Sequence, residues 1–201
     1  MNQTNIHPIN DRLIAQYEKQ LLLGQKGSVF WLYGLSGSGK STLAVEMESR
    51  LHSEGKFSIV LDGDNLRTGL NRDLGFSDQD REENIRRVSE IAKLLSGNGI
   101  IVLVSLITPR SVFRKLAKSI IGENCFYEIY VKASFRTCQK RDVKGLYAKA
   151  EKGAVKDFTG KGSDFEEPNN ECFIIDSENE NLQHSADKLY NYIFQAISLN
   201  K

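Results

Sequence analysis

The chain has 201 residues, enough for one domain with a sizeable core. Hydrophobic residues make up 40% and charged residues 26%, a soluble globular composition, and no apolar run approaches membrane-spanning length. A net charge of +1 gives no general attraction for nucleic acid or a membrane surface, so an anionic ligand has to be held by local clusters.

Residues 1–25 read as an N-terminal extension. Its first ten residues form a loose start. A short amphipathic helix is expected over 11–23, with Leu13, Tyr17 and Leu21 at spacing four. Such a helix can act as a cap, a dimer contact or a docked extension. The main domain is expected over 26–201. Residues 28–33 form an apolar run suited to a buried strand.

Gly34-Leu35-Ser36-Gly37-Ser38-Gly39-Lys40-Ser41 then fills the phosphate-loop pattern G-x-x-x-x-G-K-[ST], with Thr42 following. Glycines let backbone N–H groups turn toward phosphate oxygens, Lys40 can reach the β- and γ-phosphates, and the Ser41 hydroxyl can ligate Mg²⁺. Leu43, Met47 and Leu51 mark one face of a following helix, whose N-terminus adds its positive end to an anion site.

A second strand over 57–61 runs into Asp62-Gly63-Asp64-Asn65-Leu66-Arg67. Two carboxylates at a strand end beside a phosphate loop suit metal binding and an acceptor hydroxyl. Arg67 can pair with an anion. A helix over 80–96 places Ile85, Val88, Ile91, Ala92 and Leu95 on one face, with a capping signal from Ser77 to Asp80. Arg81 and Asn84 share a face at its start; such a pair can bind an anionic nucleotide or form a solvated charged surface. A third strand over 100–106 ends without an acid: Ser105 and Thr108 stand where many motor ATPases carry a metal-binding Asp, which favours a small-molecule kinase.

Helices are expected over 111–121 and 134–151, and strands over 126–131 and 172–175. A last helix over 182–199 turns Ala186, Leu189, Tyr190, Ile193 and Ile197 inward. Residues 152–170 are polar, without apolar periodicity, and suit a lid that excludes water. Alternating strands and helices predict a parallel sheet with the ligand site at the carboxyl ends of its strands. Cys125, Cys138 and Cys172 contain no C-x-x-C pair, so neither zinc nor a disulfide framework is indicated, and unpaired thiols suit the cytoplasm. His7, His52 and His184 have no partner pattern and read as surface or packing residues.

The series Leu61-Asp62-Gly63-Asp64-Asn65-Leu66-Arg67, Asn71-Arg72-Asp73-Leu74-Gly75-Phe76-Ser77, Asp80 to Arg87, Lys140 to Ala150 and Phe158-Thr159-Gly160 closely resembles adenylylsulfate kinase (APS kinase), over about residues 26–176. The resemblance implies an α/β fold: a three-layer α/β/α P-loop kinase with a five-stranded parallel sheet and a mobile lid at about 144–170. It implies transfer of the ATP γ-phosphoryl to the 3′-hydroxyl of adenosine 5′-phosphosulfate (APS), giving 3′-phosphoadenosine 5′-phosphosulfate (PAPS) and ADP. Gly34 to Thr42 would hold the ATP phosphates and Arg141 would border a base. Ser41 and Asp62 would lie at Mg²⁺, and Asp64 would contact the acceptor ribose as base. Arg67, Arg81 and Asn84 would bind APS and Phe76 would pack on its adenine. Ile107 and Thr108 would add contacts, and Lys144 and Phe158 would close over substrate. The resemblance also implies a homodimer working alongside ATP sulfurylase.

Two segments depart from the family pattern. Ile107-Thr108-Pro109-Arg110-Ser111 stands for the usual Ile-Ser-Pro-Tyr-Arg, and Lys161 to Glu166 keeps only an aromatic and a Glu of the usual continuation. Thr108 in place of the serine favours direct in-line transfer over a phosphoryl-enzyme. A kinase for a related anionic nucleotide, and a non-catalytic nucleotide-binding subunit of a sulfate-activating complex, stay open as alternatives.

Overall fold

The computed structural model describes residues 6–142, 145, 147–148, 165–168 and 172–199. Five parallel strands form one sheet: β1 (Ser28–Tyr33), β2 (Ser58–Asp62), β3 (Ile101–Ser105), β4 (Phe126–Lys132) and β5 (Phe173–Asp176), in the order β2-β3-β1-β4-β5. The strand that feeds the phosphate loop is therefore central. All six of its residues are buried, which explains why it reads as an unbroken apolar run rather than an alternation.

Successive β1 side chains supply two cores. Val29, Trp31 and Tyr33 face one layer with Val102, Val104 and helices α4 (Asp78–Ser96) and α5 (Ser111–Ile121). Phe30 and Leu32 face the other with Ile101, Leu103 and helices α2 (Lys40–Ser53) and α7 (Leu182–Ile197). Leu43, Met47 and Leu51 are all buried there, as their spacing predicts. Burying each such side chain contributes roughly 1.5–3 kcal/mol, so the sheet is clamped from both faces. Ser77 caps α4 by accepting from the Asp80 N–H at 3.2 Å.

Two elements differ from the sequence expectation. The helix expected over 11–23 begins later: Asn10–Arg12 form a 3-10 turn and α1 spans Gln16–Leu23. Its spacing-four face does not dock. Tyr17 is 64% and Leu21 52% exposed. Polar groups dock instead: the Gln16 amide donates to Ser96 O and Lys19 Nζ to Asn98 Oδ1 at 2.6 Å. The helix expected over 134–151 is likewise interrupted. Helix α6 covers only Phe135–Arg141. Asp142 then accepts the N–H groups of Tyr147 and Ala148, and Gly145 takes a left-handed conformation with φ of 63°. A side chain that offers backbone N–H groups an alternative acceptor stops a helix.

Candidate active site

The loop after β1 depends on glycine at close approaches. A Cβ on Gly34 would come 2.4 Å from Val131 O, and Gly37 has φ of 78° beside the Cys138 backbone. The turn closes by Ser38 N–H donating to Leu35 O. Helix α2 starts at Lys40, so its unpaired N–H groups and positive dipole end face the loop. Lys40 is buried, its Nζ donating to Gly34 O at 3.0 Å and Leu35 O at 2.7 Å.

Asp62 ends β2 and caps the short helix α3 (Gly63–Arg67), accepting from the N–H groups of Asp64 and Asn65 at 3.0 and 3.4 Å. The Ser41 hydroxyl donates to Asp62 Oδ2 at 2.8 Å and lies 3.2 Å from Ser105 Oγ. Asp62 and Ser105 are register partners on adjacent strands. Burial opposes ionisation of Asp62 more than any single partner favours it. Hydrogen bonds from Ser41, the two backbone N–H groups and Ser105 together outweigh it and hold the carboxyl below its usual range. Three oxygens from hydroxyl and carboxylate groups thus converge, a donor set that suits a hard cation such as Mg²⁺. Among the described residues no cluster of His, Cys, Asp or Glu competes with it.

The same cavity is lined by a basic cluster with an aromatic centre. Phe76 is 57% exposed, with the Arg67 guanidinium 4.2 Å and that of Arg81 6.0 Å from its ring centre. Arg67 donates to Leu74 O and Gly75 O, and Arg81 Nε to Phe76 O, so both arginines hold the backbone that carries the ring. Burial lowers the Arg67 pKa, against the pull of Asp80 and Asp64. Asn84, on α4, is 6% exposed. Thr108 is buried at φ of 42°, a left-handed conformation unusual for a β-branched residue, and its Oγ1 accepts from Trp31 Nε1 at 3.0 Å. Gly34 N–H donates to Ile107 O, joining the strand-three exit to the phosphate loop.

One cavity of about 870 Å³ is lined by Ser36 to Thr42, Asp62, Asp64, Arg67, Phe76, Arg81, Asn84, Ile107, Thr108 and Arg141. Gly34 and Leu35, the other two expected phosphate-loop residues, are not in its lining but supply the carbonyls that hold Lys40. Lys144 and Phe158 lie outside the described residues, as does most of the expected lid.

Sequence reasoning missed several lining residues. Ser177, just past β5, donates to Ser38 O at 2.6 Å, and Arg141 donates to Ser177 and to Gly37 O. The Tyr147 hydroxyl donates to Ser36 O at 2.8 Å. Ser105 completes the oxygen cluster at Asp62. Ser177 and Ser105 share one signal, position at the carboxyl end of a strand.

The departures after strand three also have a structural answer. Neither nearby arginine joins the lining. Arg110 pairs with Asp78 at 2.7 Å, while buried Arg114 lies over Tyr33 and pairs with Glu128 at 3.2 Å. The retained aromatic and Glu form a clasp. Phe165 stacks on Tyr33 and Tyr130. Glu166 donates its N–H to Pro109 O and accepts the Ser111 N–H at 2.7 Å, capping α5. Hydrogen bonding to Ser111 holds the Glu166 carboxyl below its usual range.

A family model for adenylylsulphate kinase matches residues 26–176. The adenylyl-sulfate kinase of Phocaeicola vulgatus is 46% identical over 197 residues, covering 98% of this chain and 97% of the relative. That of Bacteroides fragilis is 45% identical over 194 residues, 96% of each. Among solved structures, the Mycobacterium tuberculosis APS kinase CysC in complex with AMPPNP and APS superposes with a TM-score of 0.79 at 41% identity, over 83% of this chain and 96% of that one. The matched segment is the one that carries the phosphate loop, the Asp62–Asp64 pair and the arginine cluster, and the chain belongs to the adenylylsulphate kinase family.

Proposed function

We propose that the chain transfers the γ-phosphoryl of ATP to the 3′-hydroxyl of APS. The observation that carries this reading is one cavity lined by the phosphate loop from Ser36 to Thr42, by Arg67, Phe76, Arg81 and Asn84, and by Asp62 and Asp64. The loop and Lys40 position the triphosphate, and Arg141 with Ser177 borders its base. Phe76 offers a face for the APS adenine, while Arg67, Arg81 and Asn84 hold the phosphosulfate. Mg²⁺, held by Ser41 and Asp62, would neutralise charge on the β- and γ-phosphates.

Asp64 accepts the proton of the 3′-hydroxyl as its oxygen bonds to the γ-phosphorus and the bond to the leaving ADP oxygen breaks. Lys40 stabilises the transferring group, so catalysis rests on positioning and charge. The Thr108 hydroxyl is engaged by Trp31, which supports direct transfer over a covalent intermediate.

We propose a homodimer that works alongside ATP sulfurylase in the cytoplasm. No helix of the described residues is long and apolar enough to cross a membrane. Residues 1–25 would be the extension and 26–201 the catalytic domain, closing through about 144–170; protection of that segment from protease on adding both nucleotides tests the closure.

The deciding assay measures ADP release with MgATP and APS, with AMP, adenosine and other nucleotides in parallel, and identifies the product by mass. Turnover confined to APS, giving a 3′-phosphorylated product, is expected. Turnover confined to another nucleotide would reassign the arginine cluster. No transfer at all would make the chain a binding subunit.

A further inference from the structure

Asn71 is fully buried, yet its side chain is only half satisfied. Its Nδ2 donates to Asn84 Oδ1 at 2.9 Å, and its Oδ1 has no partner among the described residues. A buried polar atom left unpaired typically costs about 1–3 kcal/mol, so such an atom calls for a reason.

The backbone around Asn71 is fixed from several sides. Its N–H donates to Leu66 O and its carbonyl accepts from Leu74 N–H. Arg87, from α4, donates to Leu70 O and both oxygens of Asp73, tying this loop to the helix that carries Asn84. The Asn71 backbone is thus fixed beside α4, and its buried side chain meets the Asn84 amide at 2.9 Å.

The consequence falls on Asn84. An amide has one acceptor edge and one donor edge, and the hydrogen-bond network decides which way each points. With Asn84 Oδ1 committed to Asn71, the edge left for the cavity is the NH₂. We infer that Asn71 is a positioning residue that locks the Asn84 amide with its donor edge toward the anionic part of the acceptor. This rests on the assignment of Asn84 to the APS site. The reversed pairing would turn a carbonyl toward phosphate or sulfate oxygens and weaken binding. Asn71 therefore acts on acceptor affinity through Asn84 and leaves the ATP side untouched.

The test uses the full chain and titrates APS and AMPPNP separately into wild type, Asn71→Ser, Asn71→Asp, Asn84→Ala and the double variant Asn71→Ser with Asn84→Ala. Asn71→Ser unlocks the amide, because its hydroxyl is too short to reach. It should raise the APS Kd about tenfold, the scale of one hydrogen bond to a charged group, with the AMPPNP Kd within about twofold. Asn71→Asp, an acceptor only, should turn Asn84 around and weaken APS further. In the Asn84→Ala background, Asn71→Ser should cost APS nothing more.

Equal losses for both ligands, or a full Asn71→Ser loss persisting without Asn84, would overturn the positioning role. Unchanged APS affinity in Asn84→Ala would instead refute the acceptor-site assignment itself. A measurement on wild type is independent of how the variants fold. The ¹⁵N-labelled Asn84 side-chain amide, identified by its loss in Asn84→Ala, should shift on adding APS and not on adding AMPPNP. An unmoved resonance overturns the inference.

Discussion

In the proposed mechanism Lys40 and Asp64 carry phosphoryl transfer, and substitution should separate their roles. Lys40→Ala should lower kcat by about 10²–10³, because it removes a donor aimed at developing charge; an unimpaired variant would remove Lys40 from catalysis. Asp64→Asn should cripple turnover while AMPPNP affinity, measured by calorimetry, stays near wild type. Equal loss of nucleotide affinity would make Asp64 a metal residue. Thr108 tests the route: Thr108→Ala leaves the buried Trp31 N–H without its partner and should cost about 1–3 kcal/mol in urea unfolding. Its kcat should stay within about tenfold, and a collapse of many orders would revive a covalent intermediate. The phosphate loop was legible in sequence because each position has a fixed mechanical task. Ser177 and Tyr147 were not, because their partners are backbone carbonyls of a distant loop, Ser38 O and Ser36 O, which carry no residue signature.

Among the elements, α4 joins chemistry to support. Its first turns carry Arg81 and Asn84, and Glu83 and Arg87 secure the loop that packs beneath them. Glu83 receives hydrogen bonds from Arg86 and Arg87, which hold its carboxyl at about 2. A depressed folded-state value contributes stability that is complete above the ordinary glutamate pKa, near 4.3, and is lost as pH falls toward the folded value. Urea midpoints of wild type should therefore drop between about pH 4 and pH 2, and Glu83→Gln should flatten that part of the curve. An unchanged slope would mean that Glu83 is not held below its ordinary value in the folded chain. The five strands and the helix over 111–121 were legible from apolar runs and spacing. The end of α6 was not read, although Gly145 and Asp142 are the kind of residues that break a helix. Likewise the clasp of Phe165 and Glu166 is formed with residues more than thirty positions away along the chain, beyond the reach of local pattern.

For the whole molecule, the apolar residues of α1, with Leu13 just before it, form a surface that the monomer leaves exposed. Leu13, Tyr17, Leu21 and Leu22 are all more than half exposed, and a contact with a second copy is the role that the proposed dimer gives them. Sedimentation velocity should show a dimer for wild type and a monomer for Tyr17→Glu with Leu21→Glu. A monomeric wild type, or a dimer untouched by both charges, would place the interface elsewhere. The helix was legible as amphipathic, but nothing in its spacing said which way it would face. That was decided by the polar seats at Ser96 and Asn98.

The pairing of Asp62 with Ser105 across two neighbouring strands bears on where the acid of the site stands. Both side chains end their strands at the same height and meet the same Ser41 hydroxyl cluster, and the strands stand only about 4.8 Å apart. A carboxylate at position 105 in place of one at position 62 would therefore stay within reach of the Ser41 hydroxyl. On the proposed reading of Asp62 as a metal ligand, the missing acid at the end of strand three has a counterpart one strand away, at the same height and beside the same Ser41 hydroxyl.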